Sequence, residues 1–251
     1  MITAFIITAH SSDSLRPKGN YYLKRQIDSI ISHCTHEFKV IIIDNESHHE
    51  LEYPLDDDRF IYKRVDDQTI EGHTGAFNEG IEIASNNGCD ILISCNDDLW
   101  FNDTINYFIQ YIKDTDHDDI VYGPVSDGIL LPSKQHSTAP YEGKFVLDCK
   151  SLHDKPNGFC FAFTNNHYLK YRYTDTEYFN RLNKYNGGGD GKWGGQEGQF
   201  QENAEKGAYA VIVTECFVHH DKIRGWVQLK VPGTNNAYDR QEYEDKYGKI
   251  S

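Results

Sequence analysis

Three consecutive polar residues, Asn96-Asp97-Asp98, follow the short apolar run Ile91-Leu92-Ile93. An apolar run of this length predicts a strand that is buried on both faces, as strands of parallel sheets are. Two adjacent carboxylates at the end of such a strand repel each other and are costly to desolvate without a partner. A hard divalent cation with oxygen ligands would supply the positive charge, so we predict a metal site here. The alternative is that both carboxylates are solvated, or that one of them caps the next helix.

Two further predicted strands end in polar residues that can bind a ligand. One ends in Thr8-Ala9-His10 and the other in Asp44-Asn45. In open α/β sheets, ligands bind beyond the carboxyl ends of the strands, where these residues would meet the acidic triplet. We therefore expect one site at this edge of the sheet.

Hydrophobic periodicity predicts the strands and helices that position these residues. Their order, strand, helix, strand, strand, helix, strand, predicts an α/β fold with a mostly parallel central sheet flanked by helices. We expect a single domain, because neither a linker nor an internal repeat interrupts the chain. The predicted strands are 2–9, 38–43, 60–65, one beginning at Asp90, 120–122, 159–164 and 208–213; the predicted helices are 22–32, 72–88, 104–112, 200–206 and a peripheral helix from Asn235.

Composition narrows the possible functions. The chain has 251 residues, 38% hydrophobic and 13% aromatic, which indicates a folded globular protein. Its net charge of −14 argues against a nucleic acid as the main partner, because backbone binding needs clustered Lys and Arg. The 6 Cys form no CxxC pair, so we expect reduced, buried thiols. We find neither a membrane-spanning stretch nor signal-peptide features, and expect a soluble, cytoplasmic protein.

The stretch 186–198 is rich in glycine and contains Trp193 and Glu197. We interpret it as a loop that covers the substrate, because a linker has no need of a large apolar ring. A plain flexible linker is the alternative interpretation.

The order of these segments resembles a known family. Seven segments follow one another: a strand ending in Thr8-Ala9-His10, IIIDNES, GHTGAFNEGI, a strand ending in NDD, NGFCFAF, QEGQF and a final His pair. In this they resemble the GT-A fold nucleotide-sugar glycosyltransferases, particularly the family 2-like enzymes; small glycosyltransferases of large algal viruses are also similar. The resemblance covers about residues 2–225. It implies a single GT-A-like domain over 1–251, with a nucleotide-binding half at about 1–100, an acceptor-binding half at about 101–225 and a peripheral segment at 226–251.

The resemblance also implies roles at the nucleoside end of the site. Thr8, Ala9 and His10 would line the nucleoside pocket. Asp44 corresponds to the strand-end aspartate that contacts uracil, and Asn78 to an asparagine near the base and the ribose.

At the phosphate end, Asn96-Asp97-Asp98 occupies the position of the DxD motif of the family, with Asn96 in place of the first aspartate. Asn96 would hydrogen-bond a ribose hydroxyl, Asp97 would add a polar contact, and Asp98 would be the preferred metal ligand. His219 or His220 corresponds to the histidine that completes the metal site in many members. Mixed oxygen and imidazole ligation favours Mn²⁺ over Mg²⁺ as the cofactor.

On the acceptor side, Asn157-Gly158-Phe159 matches a segment that faces the sugar and the acceptor. Glu197 falls where the family carries its catalytic carboxylate. In an inverting reaction Glu197 would take the proton of the acceptor hydroxyl, and in a retaining one it would position the acceptor or stabilise the sugar; a solvated glutamate at a helix start is the alternative. Lys222 or Arg224 could contact the β-phosphate, or both could be ordinary surface charges.

These inferences predict a metal-dependent glycosyltransferase that moves a sugar from a nucleoside-diphosphate sugar, here a UDP-sugar, to a glycan, a glycoprotein or another hydroxyl acceptor. One alternative is a sugar-phosphate nucleotidyltransferase, although the stretch SSDSLRPKG is a poor match to the glycine-rich phosphate loop of that class. The other is a non-catalytic carbohydrate-binding protein, which needs neither the acidic triplet nor the final histidines.

Overall fold

The structure is a computed structural model. It describes residues 1–11, 18–45, 47–54, 56–65, 72–128, 133–150, 155–171, 200, 203–221, 229–230 and 237–238, with backbone only for 72–74, 229–230 and 237–238. In chain order the elements are β1 Thr3–Ala9, α1 Gly19–His33, β2 Phe38–Asn45, β3 Phe60–Val65, α2 Gly72–Asn86, β4 Ile91–Asn96, β5 Leu99–Trp100, α3 Thr104–Thr115, β6 Ile120–Ser126, β7 Lys144–Leu147, β8 Cys160–Thr164, α4 Asn165–Tyr171, β9 Tyr209–His220, β10 Leu229–Lys230 and β11 Ala237–Tyr238.

The predicted α/β fold is confirmed. Within the described residues, nine strands form one sheet in the order β3-β2-β1-β4-β8-β6-β9-β5, with β7 also pairing with β9. Strands β1, β2, β3, β4, β6 and β9 run in one direction, whereas β5, β7 and β8 run against their neighbours. The sheet is therefore mostly parallel, and the carboxyl ends of β1, β2 and β4 lie at the same edge.

Helices cover both faces of the sheet. Strand β4 is apolar without alternation, and its side chains from Ile91 to Cys95 are fully buried, because residues on both faces contact helices. One core lies between the sheet and helices α1 and α3, and the other between the sheet and α2. Helix α2 packs closely: a Cβ on Gly80 would lie 2.3 Å from the Ile6 side chain, so only glycine fits at this contact.

Strand β9 is longer than the predicted strand over 208–213, and a bulge explains the difference. Pro124 of β6 pairs with Val213, whereas the next residue, Val125, pairs with Phe217. Residues 214–216 of β9 therefore have no partner on β6, and the strand continues beyond them to His220. The end of β9 then pairs with the two-residue strand β5. Bulges are over-represented next to active sites, where they redirect side chains.

Several elements differ from the prediction. Strands β5 and β7 and helix α4 were not predicted, because each is short and β7 is largely exposed, without a hydrophobic period of its own. The peripheral helix predicted from Asn235 is wrong at Ala237–Tyr238, which pairs as a strand with Leu229–Lys230. All six cysteines are free and buried, as predicted. In the part of the chain that the structure describes, no helix is both long enough and apolar enough to cross a membrane.

Candidate functional site

The three predicted strand ends meet at one edge of the sheet. Thr8 of β1 pairs with Asn96 of β4, and Ala9 pairs with Asp44 of β2. Because β1 lies between β2 and β4, its end connects the residues predicted at the nucleoside end with the acidic triplet. Thr8 and Ala9 are themselves buried, and their predicted place in the nucleoside pocket stays a prediction.

His10 joins the two neighbouring strand ends. Its ring Nδ1 lies 2.8 Å from the backbone oxygen of Asn45. Its backbone N–H donates to Oδ2 of Asp97 at 3.4 Å. Asp97 therefore turns toward β1, and the two carboxylates of the triplet face different strands.

Asp98 approaches the other end of the site. Its Oδ1 lies 3.2 Å from Nε2 of His220. The adjacent histidine, His219, instead stacks on Trp100 with ring centroids 4.5 Å apart and planes 8° apart. Successive side chains of a strand point to opposite faces, so β9 can bring only one of the two imidazoles to Asp98. The geometry brings His220 to Asp98 and turns His219 toward Trp100.

A short ladder fixes this arrangement. Leu99 pairs with His220 and Trp100 with His219. The backbone N–H of Asp221 extends the pairing by donating to the backbone oxygen of Asp98 at 3.0 Å. The acidic turn and the end of β9 are thus held together through the backbone.

The segment Asn157-Gly158-Phe159 lies beside the acidic triplet. The backbone N–H of Asn96 donates to the backbone oxygen of Phe159 at 2.9 Å, and the Phe159 ring stacks on His220 at 5.3 Å. Asn157 is anchored by Gln135, a buried residue whose side-chain oxygen accepts the Asn157 backbone N–H at 2.6 Å. The structure therefore brings this predicted acceptor-facing segment to the same edge of the sheet.

Asp44 is buried and its carboxylate already has several donors. Oδ1 accepts the backbone N–H of Ser47 at 2.8 Å, and Oδ2 accepts the Tyr62 hydroxyl at 2.6 Å and an Arg64 N–H at 3.1 Å. Burial, together with the Asp44 carboxylate, raises the pKa of Tyr62 to about 12, so Tyr62 is a neutral donor at pH 7. Tyr62 also stacks on Tyr53, with ring centroids 5.1 Å apart. The contact between Asp44 and uracil stays a prediction.

The remaining predicted residues lie in different situations. Asn78 is half-buried on α2, in the second turn from its start. Glu197, Lys222 and Arg224 lie outside the described residues, and so does the whole glycine-rich stretch 186–198. Their predicted roles therefore stay predictions.

The side chains of Asp98 and His220 fit part of a divalent metal site. They present a carboxylate oxygen and an imidazole nitrogen to the same place, and a borderline ion such as Mn²⁺ accepts both. Among the described residues, no group of three or more His, Cys, Asp and Glu side chains could hold a metal ion. These two side chains fit an ion whose other ligands come from phosphate oxygens and water, as is common at phosphate sites.

Four residues near the site were not predicted. Asp127 follows β6 and contacts both histidines: its Oδ1 accepts the backbone N–H of His220 at 3.2 Å, and its Oδ2 lies 3.5 Å from Nδ1 of His219. Arg25, Trp100 and Asp221 form a second group beside them. Asp127 and Asp221 each directly follow a strand, as the predicted residues do, and this was the available signal. Contacts between distant segments leave no such signal.

A family model and solved structures place the chain among known proteins. The model of the family described as "Glycosyl transferase family 2" matches residues 17–184. No curated protein matches. The fold is similar to that of GalNAc-T7, determined with UDP, GalNAc and Mn²⁺, at a TM-score of 0.60 and 14% identity, covering 87% of this chain and 42% of that one.

The fold is also similar to residues 1–349 of S. aureus TarS, at a TM-score of 0.56 and 11% identity, covering 88% of this chain and 60% of that one. For TarS in complex with UDP the values are 0.58, 11%, 89% and 62%. The chain thus spans between 42% and 62% of the length of these structures. The family match covers two of the three strand ends that meet at this edge, Asp44-Asn45 and the acidic triplet, and the sheet agrees with the GT-A fold of these neighbours. The chain therefore belongs to glycosyl transferase family 2 and has the GT-A fold.

Proposed function

We propose that this protein transfers a sugar from a UDP-sugar to a hydroxyl group of a glycan or glycoprotein, with Mn²⁺ as its cofactor. The observation that carries the proposal is the 3.2 Å approach of Asp98 to His220 at the carboxyl edge of a GT-A sheet. Family membership supports glycosyl transfer rather than nucleotidyl transfer or sugar binding alone. Two neighbours contain UDP and one of them Mn²⁺, which supports the choice of nucleotide and metal.

Asp98 and His220 would hold the metal ion, and Mg²⁺ could replace Mn²⁺. When bound, such an ion supplies Lewis-acid stabilisation of the charge that develops on a leaving diphosphate. Phe159 stacks on one face of the His220 ring and helps to hold the ring plane, in which the lone pair of Nε2 lies. Lys222 or Arg224, which closely follow Asp221 in the sequence, would add positive charge at the β-phosphate.

The nucleoside would lie along the ends of β1 and β2. Thr8, Ala9 and His10 would line its pocket, while Asn96 and Asp97 would bind the ribose. Asp44 holds Tyr62 and Arg64 in place and would reach the uracil from the floor of the pocket. Asn78 on α2 would complete this end.

Glu197 is our candidate for the catalytic carboxylate. In an inverting reaction it would take the proton from the acceptor hydroxyl as the oxygen attacks the anomeric carbon. In a retaining reaction it would position the acceptor instead. The segment Asn157-Gly158-Phe159 would face the sugar and the acceptor.

Calorimetry tests the nucleotide and the metal together. UDP, GDP, CDP and dTDP are titrated into the protein with and without MnCl₂. We expect UDP to bind about tenfold more tightly with Mn²⁺ than without it, within the range of about 5–150-fold that is typical of coupling between two bound ligands. UDP should also bind more tightly than the other three nucleotides. Equal UDP affinity with and without Mn²⁺ would contradict the metal-dependent proposal, and binding of a nucleoside triphosphate with release of pyrophosphate would indicate a nucleotidyltransferase.

Replacing Asp98 tests the metal ligand directly. Asp98→Ala should abolish the gain in UDP affinity that Mn²⁺ provides without unfolding the protein. The matched control is Asp103→Asn, because Asp103 is an aspartate whose side chain is 88% exposed and pairs with His33. Unchanged Mn²⁺-dependent binding in Asp98→Ala would remove Asp98 from the metal site.

A further inference from the structure

Arg25 connects helix α1 to the metal end of the candidate site. Its Nη2 lies 2.6 Å from Oδ2 of Asp221, and the two side chains are 25% and 33% exposed. Its guanidinium carbon lies 4.0 Å from the centroid of the Trp100 ring, within the range of a cation–π contact. A half-buried guanidinium thus contacts the two strand ends that carry the site.

Both contacted residues are directly connected to the candidate metal ligands. Asp221 follows His220 in the chain, and its backbone N–H donates to the backbone oxygen of Asp98 at 3.0 Å. Trp100 lies two residues after Asp98 and stacks on His219 at 4.5 Å. Displacing Asp221 or Trp100 would therefore move the backbone segments that carry the side chains of Asp98 and His220.

We propose that Arg25 is a positioning residue: with Trp100 and Asp221 it holds the turn of Asp98 and the end of β9 at the separation that a metal–diphosphate complex requires. This inference rests on the proposed function. The ladder between β5 and β9 is two residues long, so it has few backbone hydrogen bonds of its own to resist sliding or opening. A side chain that crosses from α1 to both strands supplies that restraint. Arginine suits this position because its planar group stacks on an indole while it pairs with a carboxylate.

The test compares Arg25→Gln and Asp221→Asn, separately and together, with a matched control on the same helix. The control is Lys24→Gln, because Lys24 forms an exposed ion pair with Asp28 at 2.6 Å, four residues along α1. UDP affinity is measured by calorimetry with and without MnCl₂. Hydrogen exchange at the Asp221 amide is followed in the protein without nucleotide or metal.

We expect each single variant to lose about tenfold of the Mn²⁺-dependent gain in UDP affinity, the usual effect of removing an outer residue that orients metal ligands. UDP affinity without metal should stay within about twofold of that of the unsubstituted protein. The double variant should lose no more of the Mn²⁺-dependent gain than the single variant that binds more weakly, because both substitutions remove the same interaction. The backbone amide of residue 221 should exchange faster in Arg25→Gln and in Asp221→Asn than in the unsubstituted protein. Lys24→Gln should match the unsubstituted protein in every measurement.

Three results would overturn the inference. Unchanged Mn²⁺-dependent affinity in both variants would show that the site keeps its geometry without Arg25. Equal losses with and without Mn²⁺ would show a general structural role rather than positioning of the ligands. If the unsubstituted protein binds no nucleoside diphosphate at all, the proposed function fails and the positioning role fails with it, whereas the first two results refute the positioning role alone.

Discussion

Gly128 lies against His220 so closely that no side chain fits between them. A Cβ on Gly128 would come 2.5 Å from the Cβ of His220 and 2.7 Å from its Cγ. Gly128→Ala should therefore push His220 away from Asp98. We expect the Mn²⁺-dependent gain in UDP affinity to fall by about tenfold, and the free energy of unfolding to fall by about 1–3 kcal/mol. Calorimetry and urea unfolding measure the two effects.

The control for Gly128→Ala is a glycine outside the site, whose replacement should lower the stability of the protein without affecting His220. Gly88 follows α2 with φ of 70°, and no described atom lies within 4 Å of the place of its Cβ. Gly88→Ala should lower the free energy of unfolding by about 1–2 kcal/mol, because a Cβ is unfavourable in the left-handed region, and should leave nucleotide binding unchanged. If both variants bind UDP equally well with Mn²⁺, His220 can move without cost and is not a metal ligand.

The two adjacent histidines form a natural pair of test positions. His220→Gln should abolish the Mn²⁺-dependent gain in UDP affinity, because the imidazole that approaches Asp98 is lost. His219→Gln should change that gain by at most a few-fold, since His219 contributes a stacking contact to Trp100. Titrating UDP into both variants with MnCl₂ distinguishes them. The reverse order of effects would assign the ligand to His219.

Replacing Asp44 should destabilise the protein. Its carboxylate is 1% exposed and lies 3.1 Å from an Arg64 nitrogen. Asp44→Asn would leave Arg64 and the Tyr62 hydroxyl without a charged acceptor, so the free energy of unfolding should fall by about 2–4 kcal/mol. Asp57→Asn, at a more exposed pair with Arg59, should cost clearly less. Equal losses in urea unfolding would mean that the burial of Asp44 contributes nothing.

Glu197→Gln tests the catalytic carboxylate. If Glu197 takes the acceptor proton, sugar transfer should fall by about 10²–10⁴-fold, while UDP affinity stays nearly intact because the nucleotide does not need this group. Glu205→Gln, at an exposed position after the same stretch, is the control and should transfer normally. Near-normal turnover in Glu197→Gln would exclude it from catalysis.

Protonation of His167 should lower the free energy of unfolding in mild acid. His167 is buried, its Nδ1 lies 2.7 Å from the backbone oxygen of Asp118, and burial lowers its pKa to about 4 from the ordinary 6.5. Between these values the unfolded chain binds a proton that the folded protein does not, so stability from this residue is complete above pH 6.5 and is lost as the pH falls toward 4. We expect a contribution of about 2 kcal/mol to the loss between pH 7 and pH 5.

The measurement is urea unfolding at pH 7 and at pH 5 for the unsubstituted protein and for His167→Gln, which keeps a hydrogen-bond donor. The variant should show the smaller dependence on pH. The same dependence in both proteins would mean that other groups cause all of the acid sensitivity.

The part of the sheet formed by β1 to β4 could be predicted because its signals are local. Strands such as β4 begin as continuous apolar runs and end in polar residues, here Asp44-Asn45 and Asn96-Asp97. The order of elements and the meeting of three strand ends therefore follow from the sequence. Burial of Asp44 was not predicted, because its donors Tyr62 and Arg64 come from β3. Only the pairing of β2 with β3 brings them together.

The end of the candidate site formed by Asp98 and His220 depends on long-range contacts, and these could not be predicted. The sequence left His219 and His220 equivalent, since both follow the same strand. Their difference comes from the pairing of β5 with β9, which joins residues more than a hundred positions apart. Arg25 carries no signal of its own on α1, where an arginine on a helix is normally a solvated charge. Its contact with Asp221 exists only in the folded protein.

The bulge in β9 determines which face of the strand each of the two imidazoles points to. It inserts the three residues 214–216 between two consecutive pairs on β6, and the alternation of side chains beyond it follows from that odd number. Losing or gaining one residue there would exchange the orientations of His219 and His220 while leaving the composition of the strand almost unchanged. Relatives of this chain that differ in length at this point should consequently carry their essential histidine one place earlier or later.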